Sequence, residues 1–163
     1  MIEMDKDGLL LCKLQALVFE LSVESTSTSS EIFMRRFFYS KTAKMLDDKS
    51  ILQTNLQAQD ILSLIEQEYS PSNYGSTKYT KNEMYWIGYI YRYFSYTYNH
   101  SSRTAYTIIK PKELKEMFLA YHTLSPEQTI ERILEAKNIA MNTEENELKR
   151  QFEIYKKIRN AVY

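Results

Sequence analysis

Few side chains in this sequence could carry chemistry. The only histidines are His100 and His122, and the only cysteine is Cys12. Neither histidine has a second histidine or a cysteine at metal-ligand spacing, so no zinc site is expected. A Cys–His catalytic pair would require the fold to join distant segments, and a lone cysteine in an apolar helix reads as core. Small helical bacterial ribonucleases pair an arginine with a histidine at short spacing. Here Arg92 precedes His100 with seven residues between them, and the pattern fails. Gly8, Gly75 and Gly88 lie far apart, so there is no glycine-rich phosphate loop. No cofactor is expected. The chain reads as non-enzymatic, with an enzyme of unrecognised type as an alternative.

Charged residues next to aromatic ones are more informative. Arg35, Arg36, Tyr39 and Lys44 cluster in one segment, and arginine and tyrosine are the side chains that anchor protein interfaces. The C-terminal segment offers a second set, Tyr155 and Arg159. These six are the candidate partner-binding residues. Arg92 stands inside the aromatic run MYWIGYIYRYFSYTYN, where a charge must be paired or stacked on a ring. An ion pair with a glutamate is expected for it.

These residues sit on elements with helical signatures. Only three Gly and three Pro occur in 163 residues, which favours long helices. Leu10, Leu14, Leu17 and Leu21 recur at helical steps, with Val18 beside them. Thr28-Ser29-Ser30-Glu31 matches a capping box with Thr28 as the cap, opening a helix over about 29–47. In that helix Phe33, Met34, Phe37, Phe38 and Met45 share one side, and Arg36, Ser40 and Lys44 the other. A further helix is expected over 57–68, followed by the loop SPSNYGSTKYT. Thr80-Lys81-Asn82-Glu83 is a second box, and it opens the aromatic segment as a helix over 80–98. Tyr85, Tyr89, Tyr93 and Tyr96 form one stripe of it, and Trp86, Ile90 and Phe94 another. Rings nearly all round predict a buried central helix, which Gly88 lets a neighbour approach closely. Residues 101–110 fit a short helix or an edge strand. Pro111 and Pro126 each start a helix, the second running to about Ala140, and Thr143 starts a last one. Together these predict an all-α fold: a single compact bundle over 1–163 of about six to seven helices, with residues 143–163 docking on it as a terminal helix.

Composition narrows the partner. Hydrophobic residues make up 44% and charged residues 26%, an ordinary globular balance. The 21 basic and 21 acidic residues cancel, which disfavours a nucleic-acid binder because phosphate neutralisation carries most of such affinity. The acidic N-terminus, with Glu3, Asp5 and Asp7, is wrong for a secretory leader, and no apolar run is long enough to span a membrane. A cytoplasmic protein is expected.

The stretches ELSVESTSTSSEIFMRRFF, TKNEMYWIGYIYRYFSYTY and IIKPKELKEMFLAYHTLSPEQTIERIL together resemble a family of small bacterial proteins found in toxin–antitoxin-like gene pairs. Their neighbours are of the ADP-ribosyltransferase-like class. The resemblance covers about residues 15–137. It implies an antitoxin that neutralises a cognate protein toxin by direct contact, and it supplies no site residues. The alternative binding reading is a helical nucleic-acid-binding repressor. It would use the helices around Pro111 and Ser125, joined by YHTLSP.

Overall fold

The computed structural model describes the backbone of residues 1–162 and the side chains of 1–138 and 147–160. Among these residues the fold is all-helical, with no strand. The α-helices are α1 (Lys6–Ser25), α2 (Ser30–Phe38), α3 (Lys41–Asp47), α4 (Ala58–Gln67), α5 (Lys81–Thr97), α6 (Ser102–Ile108), α7 (Pro111–Tyr121) and α8 (Pro126–Val162). A short 3-10 helix, Ser50–Gln53, follows α3. No helix among the described residues is long and apolar enough to cross a membrane. The chain divides into two units, Met1–Pro126 and Glu127–Tyr163.

The first unit is organised by α1 and α5. Gly8 of α1 lies against Tyr96 of α5, and Gly88 of α5 against Ala16 and Phe19, so the two helices run antiparallel. Gln15 donates to the Gly88 carbonyl at 3.0 Å. Gly88 supplies the close approach its sequence position suggested. A Cβ there would stand 2.8 Å from Phe19 Cγ and 3.1 Å from Ala16 Cα. The second of these atoms is backbone and cannot swing aside. Gly88→Ala is therefore expected to lower stability by about 1–3 kcal/mol through overpacking. That outweighs the helix-propensity gain of about 1 kcal/mol. A urea titration read by far-UV dichroism checks the sign.

Aromatic rings fill the space beside this pair. Phe19 meets Phe33, Phe37 and Phe38 edge-on, with centroids 5.5, 4.9 and 5.9 Å away. Phe38 continues to Tyr91 at 4.6 Å, and the buried Tyr91 hydroxyl donates to the Ile109 carbonyl. Burying a phenol is tolerable because its polar tip finds a partner.

The structure revises several sequence expectations. Among the described residues nine helical elements stand where six to seven were expected. Residues 29–47 form two helices, because Ser40 turns inward at the break. Its hydroxyl accepts from Ala43 N at 3.0 Å and donates to the Phe37 carbonyl at 2.6 Å. The cap of α2 is Ser29, which accepts from Ile32 N at 3.2 Å, and not Thr28. Glu31 instead accepts the Tyr79 hydroxyl. The second box forms as read, with Thr80 and Glu83 each accepting the other's backbone N–H. Residues 101–110 resolve to helix α6, capped by Ser101. The expected break between Ala140 and Thr143 is absent, and α8 runs through as one helix of 37 residues. With no Gly or Pro there, continuing the helix through Asn142 and Thr143 costs only tenths of a kcal/mol, roughly, per residue. The expected terminal helix 143–163 is thus the later part of α8, and Tyr163 lies outside the described residues.

In α5 the expected stripe is present, with Tyr85, Tyr89 and Tyr93 stacked at 6.5 Å spacing, but these rings and Trp86 are only half-buried. The buried side holds Met84, Ile87, Ile90, Tyr91, Arg92 and Phe94. The leucines at 10, 14, 17 and 21 lie on the half-exposed side of α1, whose inner side is Leu11, Cys12, Ala16, Val18 and Phe19.

Candidate functional site

The period of α2 separates its two roles. Phe33, Met34, Phe37 and Phe38 enter the core, while Ile32, Arg35, Arg36 and Tyr39, at steps of three, one and three, share the opposite side. The loop after α4 comes up against this side. Ser29 N donates to the Tyr74 carbonyl and Ser30 N to the Thr77 carbonyl, each at 3.0 Å. The loop thereby satisfies two N–H groups at the start of α2. Gly75 adopts φ +71° beside Ser29, a conformation that favours glycine. Lys78 fastens the far end of the loop, donating to the Thr26 carbonyl at 2.7 Å and to Thr26 Oγ1 at 3.0 Å at the end of α1.

Between α2 and the loop lies an open groove of about 450 Å³, lined by Ile32, Arg35, Arg36, Tyr39, Tyr69 and Tyr74. Arg35 and Arg36 line it, and a third guanidinium, Arg103, stacks on its Tyr39. Arg36 donates to Ser72 Oγ and lies 5.3 Å from the Tyr69 ring centroid, while the Tyr69 hydroxyl donates to the Arg36 carbonyl at 2.8 Å. Arg103 of α6 lies 4.0 Å from the Tyr39 ring centroid, and Tyr106 packs edge-on to the same ring at 6.1 Å. Arg35 is exposed. None of the three forms an ion pair with a carboxylate among the described residues.

The nearby acids are engaged elsewhere. Glu68 caps α3, accepting from Lys41 N at 2.6 Å and from Thr42 Oγ1 at 2.8 Å. Glu31 accepts from Tyr79. Burial raises the Tyr69 hydroxyl pKa, with Glu68 acting in the same direction and Arg36 and Arg103 opposing it. Tyr69 is thus a neutral phenol at physiological pH. The groove is a cationic site with aromatic walls, suited to a carboxylate or another planar anion.

Of the residues singled out by sequence, Arg35, Arg36 and Tyr39 come together here. Lys44 is exposed on α3 and does not line the groove, because the break at Ser40 takes it out of the α2 register. Tyr155 and Arg159 are exposed on α8, in the other unit. Sequence reasoning missed Tyr69, Tyr74, Arg103 and Tyr106. The spacing of Arg103 and Tyr106, three residues apart after a serine cap, was the available signal.

A second, polar pocket of about 230 Å³ includes Asp5, Asp47, Arg92, Tyr96 and His100. A pocket joining His100 to carboxylates is where an enzyme reading would begin, and several of its groups also hold the fold together. Arg92, only 2% exposed, donates to Asp47 at 2.7 Å, to Gln15 at 2.8 Å and to Ser102 Oγ at 2.7 Å. Its carboxylate partner is therefore Asp47 and not a glutamate. Asp47 also accepts from Ser102 N at 3.0 Å, satisfying the start of α6. Asp5 accepts from the Tyr96 hydroxyl and from Gly8 N; these bonds, the tyrosine's first, hold its carboxyl below the usual range.

His100 closes the end of α5. Its N–H donates to the Ser95 carbonyl at 2.9 Å after Asn99 turns into the left-handed region at φ 55°, an arrangement that ends helices. Ser95 Oγ donates to the His100 carbonyl. Burial pushes the Cys12 thiol up to about 12, so it is protonated and unreactive at neutral pH. Among the described residues, no cluster of three or more His, Cys, Asp or Glu could hold a metal ion. The chain matches no protein-family model, no curated protein and no solved structure.

Proposed function

We propose that this chain is a non-catalytic protein-binding module, antitoxin-like, whose groove on α2 receives an acidic segment of a partner toxin. The reading rests on one observation: two guanidiniums and three tyrosine rings line one groove, with Arg103 and Tyr106 packed on Tyr39, while Glu68 caps α3 and Glu31 accepts from Tyr79. A partner carboxylate would find donors already oriented by stacking, which lowers the entropy cost of binding. The resemblance of the sequence to antitoxin-like proteins suggests a toxin of the ADP-ribosyltransferase-like class, met in the cytoplasm and occluded by contact.

Co-expression with the adjacent toxin gene tests this. Wild-type protein rescues growth. The Arg35→Glu, Arg36→Glu variant is expected to lose rescue and to weaken Kd by about 30-fold or more, the scale of an interface hot spot. Circular dichroism must show its helices intact. Full rescue by the folded variant excludes the groove, and absence of rescue by wild type discards the antitoxin reading.

Nucleic-acid binding is the second reading, favoured by the same combination of guanidiniums and rings. It predicts affinity that falls steeply with salt. A flat salt dependence, or no binding at low salt, removes it.

A further inference from the structure

Residues 147–160 of α8 carry an apolar stripe that their own unit cannot cover, because that unit is a single helix. Leu148, Phe152, Ile154, Tyr155 and Ile158 are each between 51% and 66% exposed. Leu148, Phe152 and Tyr155 follow one another at steps of four and three, and Ile154 and Ile158 fill the adjoining row. Lys149, Arg150, Glu153, Lys156 and Lys157 occupy the rest of the circumference. Five large apolar side chains on one strip mark an interaction surface.

We infer that the occupant of this stripe is the same stripe of a second copy, packed antiparallel. Charge selects the occupant and its direction. Glu144 and Glu145 precede the segment, Glu147, Lys149 and Arg150 open it, Glu153 lies inside it, and the bases Lys156, Lys157 and Arg159 stand at its end. Antiparallel pairing sets Glu147 of one copy beside Lys156 of the other and Arg150 beside Glu153, whereas parallel pairing sets each charge beside its own counterpart. The helix dipoles also oppose in the antiparallel arrangement.

The size is adequate. An aromatic side chain offers roughly 150–250 Å². Five large side chains, each more than half exposed, give on the order of 500 Å² per copy. Covering all of it would bury about 1,000 Å² in the pair, the lower bound for a specific interface. In this arrangement Leu148 of one copy faces Tyr155 of the other, and Gln151 and Phe152 lie at the centre of symmetry.

The full-length chain should sediment as a dimer at micromolar concentration, and light scattering should give twice the chain mass. The Phe152→Glu, Tyr155→Glu variant should return to the monomer mass with its helix content unchanged. Direction is read by disulfide trapping. Cys12 is buried, so an introduced thiol is the only reactive one. Oxidation should join copies through Gln151→Cys, at the centre, and not through Ile158→Cys, which lies far from its counterpart. A monomeric wild type overturns the inference, as does equal trapping at 158, which marks parallel pairing. A chain that is monomeric alone and hides the stripe only when the toxin is added overturns it in favour of that partner. The groove variants bear on neither outcome, so the two proposals fail separately.

Discussion

Phe37→Ala unfolds at a markedly lower denaturant concentration than wild type, with a loss of about 3–5 kcal/mol. Phe37 is completely buried. Its ring lies 4.9 Å from Phe19 and 5.1 Å from Phe38, both edge-on, and 6.4 Å from Phe33, so truncation removes area burial and three aromatic contacts together. The cavity cannot collapse easily, because Phe19 is itself held against Gly88 by the close pairing of α1 and α5. The loss is a large share of the net stability of a domain, roughly 5–15 kcal/mol. Trp86→Ala is expected to cost less, although tryptophan is larger, since Trp86 is half-buried and meets Phe118 at 5.7 Å on one side. A urea titration of both variants, with equal slopes, checks the order. Equal losses would mean that burial does not set the ranking.

The second large effect is at the joint between α1, α3, α5 and α6. Asp47→Ala leaves the Arg92 guanidinium buried without its carboxylate, and breaking a buried pair in this way costs about 3–5 kcal/mol. Asp47 is itself 20% exposed, which places the loss at the lower end of that range. Ser102 N also loses its acceptor, so α6 should fray first. Replacing both partners with apolar residues, Asp47→Leu with Arg92→Met, removes the orphan charge and should recover part of the loss. A double-mutant cycle measured by denaturation reads this directly. Additive losses from Asp47→Leu and Arg92→Met, with no recovery in the double variant, would show that the pair is not coupled.

Local physics made much of this fold legible in the sequence. The Thr80–Glu83 box starts α5 because both of its hydrogen bonds close within four residues. Pro111 and Pro126 start α7 and α8 because proline fits the first turn and no later one. The inner side of α2 follows from helical period alone. The tertiary structure decided everything that depends on which elements meet. The leucines of α1 repeat at helical spacing, yet the inner side is the one bearing Ala16 and Phe19, because Gly88, with no side chain, leaves the space in which both pack against α5. The chain breaks at Ser40 because a buried hydroxyl can satisfy backbone groups on both sides of the bend. Arg92 required a partner by any reading of its neighbours, but the identity of Asp47, 45 residues away, comes from packing. The groove divides in the same way. Arg35, Arg36 and Tyr39 share a side of one helix and were visible by spacing. Tyr69, Tyr74, Arg103 and Tyr106 reach that side only after the loop is tied to α2 and α6 is set by Asp47, and no local rule encodes either step.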